Sequence, residues 1–141
     1  MPVRVYIVED HPIMREIIQD YLALESELEI CGIAGSAEDA SVTLGDAAPD
    51  VVLVDLSLPG RSGLELVREI RERWGTPCVI LSGHGERTYV GRAFACGARG
   101  YVLKGNPRDI PAAIQRVLAG EIHLSDALRQ NLDYAPDDMG A

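Results

Sequence analysis

Polar side chains follow four short apolar runs of the chain, and their types suit the binding of a phosphoryl group and a cation. In chain order they are Glu9 and Asp10, then Asp55, Ser82 and Lys104. A short continuous apolar run is typical of a buried parallel strand. Polar groups at the carboxyl ends of such strands lie where open α/β sheets bind ligands. Three carboxylates, a hydroxyl and an ammonium gathered there indicate a cation-dependent phosphate site.

Some of these residues also have an ordinary structural explanation. Asp10 could cap a helix, since Pro12 two positions later fits a first helical turn, and both interpretations stay open. Capping does not explain Asp55, because a proline and two glycines separate it from the next helical pattern, and an unpaired carboxylate is a costly end for a buried strand. Lys104 could be an ordinary surface residue. It is the chain's one lysine, however, and every other positive residue is arginine, which argues against that explanation. Ser82 alone would be uninformative, because serine commonly ends strands.

Strand and helix patterns alternate along the chain and predict how these residues are positioned. Strand-like runs rich in valine, isoleucine and leucine occur at 3–8, 29–34, 51–55, 78–82 and 100–103. The stretches between them show apolar residues at helical spacing, although 37–47 and 86–96 are weaker and rich in alanine. Five such βα units predict a doubly wound parallel sheet with helices on both faces.

The expected strand order, 2-1-3-4-5, makes the first and third strands neighbours, so Asp10 and Asp55 should face each other. Two carboxylates about 4 Å apart repel by about 4 kcal/mol at an effective dielectric of 20. A divalent cation would offset this repulsion. Carboxylate, carbonyl and water oxygens favour Mg²⁺ over zinc or copper.

Composition limits the classes of function. The chain has 141 residues, a net charge of −9 and 47% hydrophobic residues, which is ordinary for a globular domain but unsuited to binding nucleic acid or an anionic membrane by itself. No apolar run approaches a membrane span and no signal peptide is apparent, so a cytoplasmic location is expected. The three scattered cysteines predict buried thiols in a reducing compartment.

The predicted domain covers residues 1–120. Residues 121–141 are interpreted as a C-terminal segment with a short helix beginning near Ser125, followed by an acidic linker or tail.

The sequence resembles the receiver domain of bacterial two-component response regulators over residues 3 to about 120. The resemblance depends on several motifs in order: Glu9-Asp10-His11, Pro49 to Gly60 around Asp55, Leu81-Ser82, and Gly100-Tyr101-Val102-Leu103-Lys104. The first and last motifs are most similar to the NarL/FixJ-type subgroup, whose receivers usually precede a LuxR-type helix-turn-helix domain. The resemblance implies a flavodoxin-like (βα)5 fold.

The resemblance also implies a role for each polar residue. Asp55 would accept a phosphoryl group from a sensor histidine kinase. Mg²⁺ would be bound by Asp10 and Asp55, by Glu9 through water, and by the backbone carbonyl of Ser57. Lys104 would neutralise charge on the phosphoryl oxygens.

Ser82 and Tyr101 would form the switch that the resemblance implies. Ser82 would move to the phosphoryl group and vacate space into which Tyr101 turns, shifting the population between two states. The protein would then be no enzyme beyond its own phosphorylation and dephosphorylation. It would pair with itself when phosphorylated and contact DNA only through an output domain that regulates transcription.

Three alternatives remain open. A haloacid-dehalogenase-type phosphatase also uses an Asp nucleophile with Mg²⁺, but it needs a second Asp where this chain has Ser57. A pseudo-receiver would keep the fold without phosphorylation, and a stand-alone regulator or phosphorelay intermediate would act without a DNA-binding domain. For His11 and His84, near the expected site, a solvated loop position is favoured over a catalytic one.

Overall fold

The structure is a computed structural model that describes residues 2–125 and residue 128. Its strands are β1 Val3–Val8, β2 Leu28–Ala34, β3 Val51–Asp55, β4 Cys78–Ser82, β5 Gly100–Leu103 and β6 His123–Leu124. Its helices are α1 Pro12–Ala23, α2 Ala37–Ala47, α3 Gly63–Arg73, α4 Arg87–Ala95 and α5 Ile110–Leu118, the last preceded by a 3-10 turn at Pro107–Asp109.

The six strands form one parallel sheet in the order β2-β1-β3-β4-β5-β6. The doubly wound fold and the 2-1-3-4-5 order are therefore confirmed. In β3, Val52 and Val54 point into one core and Val51 and Leu53 into the other, because successive strand residues face opposite sides. Burying each such side chain stabilises the fold by about 1.5–3 kcal/mol, which is why the central strands are continuous apolar runs.

Helices cover both faces of the sheet. The apolar faces of α1 and α5 pack on one side, and those of α2, α3 and α4 pack on the other. Gly75, Gly97 and Gly120 follow three of the helices with positive φ angles of 69°, 108° and 87°, which is the left-handed conformation common at helix ends. In the part of the chain that the structure describes, no helix is both long and apolar enough to cross a membrane.

Two features near the C-terminal end differ from the sequence analysis. The structure has a sixth strand that the sequence analysis did not predict. It pairs His123 with Gly100 and Leu124 with Tyr101. The helix expected from near Ser125 and the acidic tail lie almost wholly outside the described residues, and Ser125 itself is not helical. All three cysteines are free thiols, but only Cys78 is buried and the other two are half-buried.

Candidate functional site

Strand register brings the predicted polar residues together at one edge of the sheet. Val8 pairs with Val54, so Glu9 and Asp55 leave adjacent strands at the same level. Across the next pair of strands Asp55 is opposite Leu81, one residue before Ser82. The backbone amide of Lys104 donates to the Ser82 carbonyl at 2.8 Å, which positions the Lys104 backbone at the same edge of the sheet.

Asp55 ends β3 with its side chain only 1% exposed. Its Oδ1 accepts a hydrogen bond of 3.0 Å from the Ser57 amide, and its Oδ2 lies 3.1 Å from the Lys104 ammonium. Burial, followed by the nearby Glu9 carboxylate, raises the pKa of Asp55. The Glu9 carboxylate and the Lys104 ammonium thus both lie beside Asp55, whose burial disfavours its ionised form.

Glu9 is completely buried. Its two oxygens lie 3.1 Å and 3.3 Å from the Lys104 ammonium, and Oε2 also accepts a bond of 3.2 Å from the His11 amide. Burial favours the neutral form of Glu9, but its contacts with Asp55, His11 and Lys104 outweigh burial and lower its pKa. Burial also opposes the charged form of Lys104, yet the Asp55 and Glu9 carboxylates hold its pKa above the usual value. Two carboxylates, those of Glu9 and Asp55, therefore lie close to the Lys104 ammonium.

Asp10 does not cap α1. The cap residue is His11, and it makes no side-chain capping bond, so the capping interpretation of Asp10 is wrong. The Asp10 carboxylate instead turns toward the site, with Oδ1 3.2 Å from Nδ1 of His11. The His11 ring also contacts Glu9, and it remains 61% exposed in the loop before α1, which is the solvated loop position that the sequence favoured.

The acidic residues suit a small divalent cation. One ligand atom each from Glu9, Asp10, His11 and Asp55 lie within 4.8 Å of one another. Among the described residues, Oε1 of Glu9, Oδ1 of Asp10 and Oδ2 of Asp55 are buried without a hydrogen-bond partner. Buried oxygens of this kind are costly unless a cation or water satisfies them, so the donor set fits Mg²⁺. A role for the Ser57 carbonyl stays a prediction.

The predicted switch residues share one backbone neighbour. Ser82 Oγ accepts a hydrogen bond of 2.9 Å from the His84 amide, and the Tyr101 hydroxyl donates one of 2.5 Å to the His84 carbonyl. Tyr101 is fully buried, and burial raises its pKa to about 12. Tyr101 therefore points inward in this structure, and its rotation on switching stays a prediction. The His84 ring stacks on Tyr89 of α4, with centroids 4.5 Å apart.

Sequence reasoning missed two contributors to this site. The contacts of His11 with the carboxylates were not predicted, because a chain position next to two carboxylates does not fix where a ring points. Gly63 was assigned to the loop after Asp55, but it is the first residue of α3 and lies directly against the Asp55 carbonyl. The only signal for its role was a glycine at the start of an apolar helical pattern.

Comparisons with known proteins agree with this geometry. The family described as response regulator receiver domain matches residues 5–115. The transcriptional regulatory protein AruR of Pseudomonas aeruginosa is 33% identical over 147 residues, covering 95% of this chain and 59% of that protein. The nitrate/nitrite response regulator protein NarL of Escherichia coli K12 is 31% identical over 129 residues, covering 90% of this chain and 60% of that protein. The chain thus spans about three fifths of the length of these curated relatives.

A solved structure with 33% sequence identity to this chain has the same fold. The LuxR-family two-component response regulator from Aurantimonas sp. SI85-9A1 superposes with a TM-score of 0.85 and 33% identity, covering 94% of this chain and 96% of that one. This similarity and the family match leave the haloacid-dehalogenase-type alternative without support. The chain belongs to the response regulator receiver domain family and is of the NarL/LuxR type.

Proposed function

We propose that this chain is a phosphorylation-dependent signalling switch in which Asp55 accepts a phosphoryl group from a sensor histidine kinase. The observation that supports this most directly is the buried Asp55 carboxylate at the end of β3, with Oδ2 3.1 Å from the Lys104 ammonium. A carboxylate held beside a cation at a strand end is positioned as a nucleophile whose product charge can be neutralised.

The transfer follows from how the two Asp55 oxygens are held. Ser57 fixes Oδ1, which leaves Oδ2 on the Lys104 side to form the new bond to phosphorus. The bond from phosphorus to the kinase histidine breaks at the same time, and the imidazole nitrogen leaves with the electron pair. Lys104 offsets charge on the transferred oxygens, which matters because such transfers are governed by positioning and electrostatics.

The cation completes the site. Glu9, Asp10 and Asp55, with the Ser57 carbonyl, would hold Mg²⁺, whose charge offsets that of the phosphoryl oxygens when it is bound. The chain's own part is to keep three carboxylates close together although they repel one another, so that the site is ready before the ion arrives.

The switch depends on the His84 backbone. Once Asp55 is phosphorylated, the Ser82 hydroxyl donates to a phosphoryl oxygen and turns away from the His84 amide. Because Tyr101 already holds the His84 carbonyl, the loop between β4 and α4 is the segment that must adjust. The change at Asp55 is thereby coupled to the surface of α4.

We further propose that the receiver occupies residues 1–120 and that residues 121–141 lead toward an output. The name of AruR, a transcriptional regulatory protein, favours transcription regulation as that output. In this proposal the output acts through a DNA-binding domain, and the chain self-associates when phosphorylated in the cytoplasm. A stand-alone regulator or phosphorelay intermediate would need only the receiver, and the full-length gene sequence distinguishes these outputs. Catalysis beyond self-phosphorylation and self-dephosphorylation forms no part of the proposal.

Incubation with acetyl phosphate and Mg²⁺ tests the phosphorylation step. We expect intact mass to show one phosphoryl group on the wild type, removable by hydroxylamine as an acyl phosphate is, and none on Asp55→Asn. Asp20→Asn is the matched control, because Asp20 is exposed on α1 away from the site. An unlabelled wild type would identify a pseudo-receiver, and labelling of Asp55→Asn would place the acceptor elsewhere.

Mg²⁺ alone should raise the thermal stability of the chain. An ion that binds only the folded state at ten times its dissociation constant adds about 1.4 kcal/mol, which for a domain of this size is roughly 3–5 °C in Tm. Differential scanning fluorimetry with and without chelator measures the shift, and Asp10→Asn/Asp55→Asn should abolish it. If millimolar Mg²⁺ does not change the Tm of the wild type, the carboxylates do not form the proposed site.

A further inference from the structure

The imidazole of His11 is placed among the carboxylates of the site. Its Nδ1 lies 2.9 Å from Glu9 Oε2, 3.2 Å from Asp10 Oδ1 and 3.8 Å from Asp55 Oδ2. The ring is 61% exposed, so burial does not force it into this position. Its contacts with the three acidic side chains hold it there, and Glu9 raises the pKa of His11.

These spacings are those of donor atoms that share one metal ion. Ligands about 2.0–2.2 Å from a small divalent ion lie roughly 3 Å from their neighbours around it. The distances from Nδ1 to Glu9 and Asp10 match that value, and the distance to Asp55 is within the reach of a small side-chain adjustment.

Buried oxygens independently indicate a ligand at this point. Glu9 Oε1 and Asp55 Oδ2 belong to side chains that are 0% and 1% exposed, and neither has a hydrogen-bond donor among the described residues. The Lys104 ammonium lies 3.1 Å from each as an ion pair. A second cation would satisfy what the lysine leaves open.

We infer that His11 Nδ1 is a metal ligand, and that it gives this site a preference for first-row transition ions that accept nitrogen, such as Co²⁺ and Zn²⁺, over Mg²⁺. Mg²⁺ takes oxygen ligands, whereas imidazole suits Zn²⁺, Co²⁺ and their neighbours. The inference rests on the proposed function, since the ion occupies the same carboxylates, but it concerns binding and not transfer.

Without metal, His11 Nδ1 and Glu9 Oε2 form a hydrogen bond of 2.9 Å. A metal ion at Nδ1 needs the lone pair of this nitrogen, so a hydrogen carried by Nδ1 passes to Nε2 of a neutral ring, or to water when both ring nitrogens are protonated. In either case the bound imidazole is neutral.

The other histidines supply a matched control. His84 stacks on Tyr89, and His123 is buried with Nε2 2.8 Å from Asp109, so neither ring takes part in the cluster that contains His11. His84→Gln therefore removes a second exposed imidazole, at 46% against 61% for His11, without removing a ligand atom. The hydrogen bonds of His84 to Ser82 and Tyr101 involve its backbone and not its ring.

Titration calorimetry of the full chain with MgCl₂ and with CoCl₂, without any phosphoryl donor, tests the inference. We expect His11→Gln to weaken Co²⁺ binding by about tenfold or more while Mg²⁺ binding changes by less than about threefold, and to alter the visible absorption bands of bound Co²⁺. His84→Gln should change neither. The informative quantity is the change in the Co²⁺-to-Mg²⁺ ratio, because oxygen sites also differ in their intrinsic affinities for the two ions.

Equal weakening of both ions in His11→Gln would overturn the inference and leave His11 as a residue that only positions carboxylates. Unchanged binding of both ions would overturn it as well. The metal-free Tm of each variant, measured in parallel, separates a lost ligand from a damaged fold. Failure of acetyl phosphate to label the wild type would count against the proposed function alone, because the calorimetry requires no transfer.

Discussion

Replacing Lys104 with methionine should lower the free energy of unfolding by about 3 kcal/mol at neutral pH without divalent ions, toward the lower end of the range for breaking a buried ion pair. The ammonium lies 3.1 Å from both Glu9 Oε1 and Asp55 Oδ2, and the two acidic side chains are 0% and 1% exposed. Methionine keeps most of the side-chain volume but leaves two buried anions facing each other. Lys104 is itself 20% exposed, so solvent relieves part of this cost.

The loss should depend on pH with a definite sign. Asp55 already has a raised pKa, and removal of the ammonium raises it further. The same removal also takes away one of the contacts that lower the pKa of Glu9. A carboxyl group that ionises less readily in the folded state destabilises that state as pH rises through its folded pKa. The deficit of Lys104→Met should therefore be largest near pH 7 and shrink as pH falls toward about 5, and urea denaturation in EDTA over this range measures it.

Two variants show whether charge is the cause. Adding Asp55→Asn to Lys104→Met removes one of the unpaired anions and should restore most of the lost stability. Arg116→Met breaks an exposed pair, 3.5 Å from Glu121, and should cost less than about 1 kcal/mol. A Lys104→Met deficit no larger than that of Arg116→Met would mean that the ammonium does not offset the buried charges. Loss of acetyl phosphate labelling in Lys104→Met would agree with its proposed role in transfer.

The sheet was predictable because its central strands are buried on both faces. That burial requires continuous apolar runs, and β1, β3, β4 and β5 begin and end at the residues that those runs predicted. β6 was missed because two residues cannot show a period, and its position depends on backbone pairing with β5. Its His123 contacts Asp109, which lies fourteen residues earlier in the chain, through a hydrogen bond of 2.8 Å.

At the site, strand ends were predictable and side-chain directions were not. Asp55, Ser82 and Lys104 lie where the parallel register places them, which follows from chain order and strand adjacency alone. The turn of Asp10 away from its capping position accompanies its contact with the His11 ring at 3.2 Å. The same ring lies 2.9 Å from Glu9 and 3.8 Å from Asp55 of another strand. These side-chain directions have no period along the chain, so the sequence pattern does not predict them.

Gly63→Ala should cost about 3 kcal/mol or more in unfolding free energy, an overpacking effect at the upper end of its usual range. A Cβ on Gly63 would lie well inside van der Waals contact with the Asp55 carbonyl oxygen, 3.0 Å from the Asp55 carbonyl carbon and 3.1 Å from Leu56 Cα. All of these atoms are backbone, so the clash is relieved only by moving the end of β3 or the start of α3. Because the end of β3 carries the nucleophile, acetyl phosphate labelling of the folded fraction should fall as well.

Gly45→Ala makes the same substitution within α2 and should act in the opposite direction. Its new Cβ would meet Trp74 Nε1 at 3.7 Å, an ordinary contact, and alanine in a helix interior is more stable than glycine by about 0.5–1 kcal/mol. Urea denaturation compares the two variants, and intact mass after acetyl phosphate treatment reports on the site. A Gly63→Ala protein with wild-type stability and labelling would show that contact between α3 and the Asp55 backbone does not position the nucleophile. A loss confined to Gly63→Ala would instead make the bare backbone at the start of α3 a requirement of the phosphorylation site.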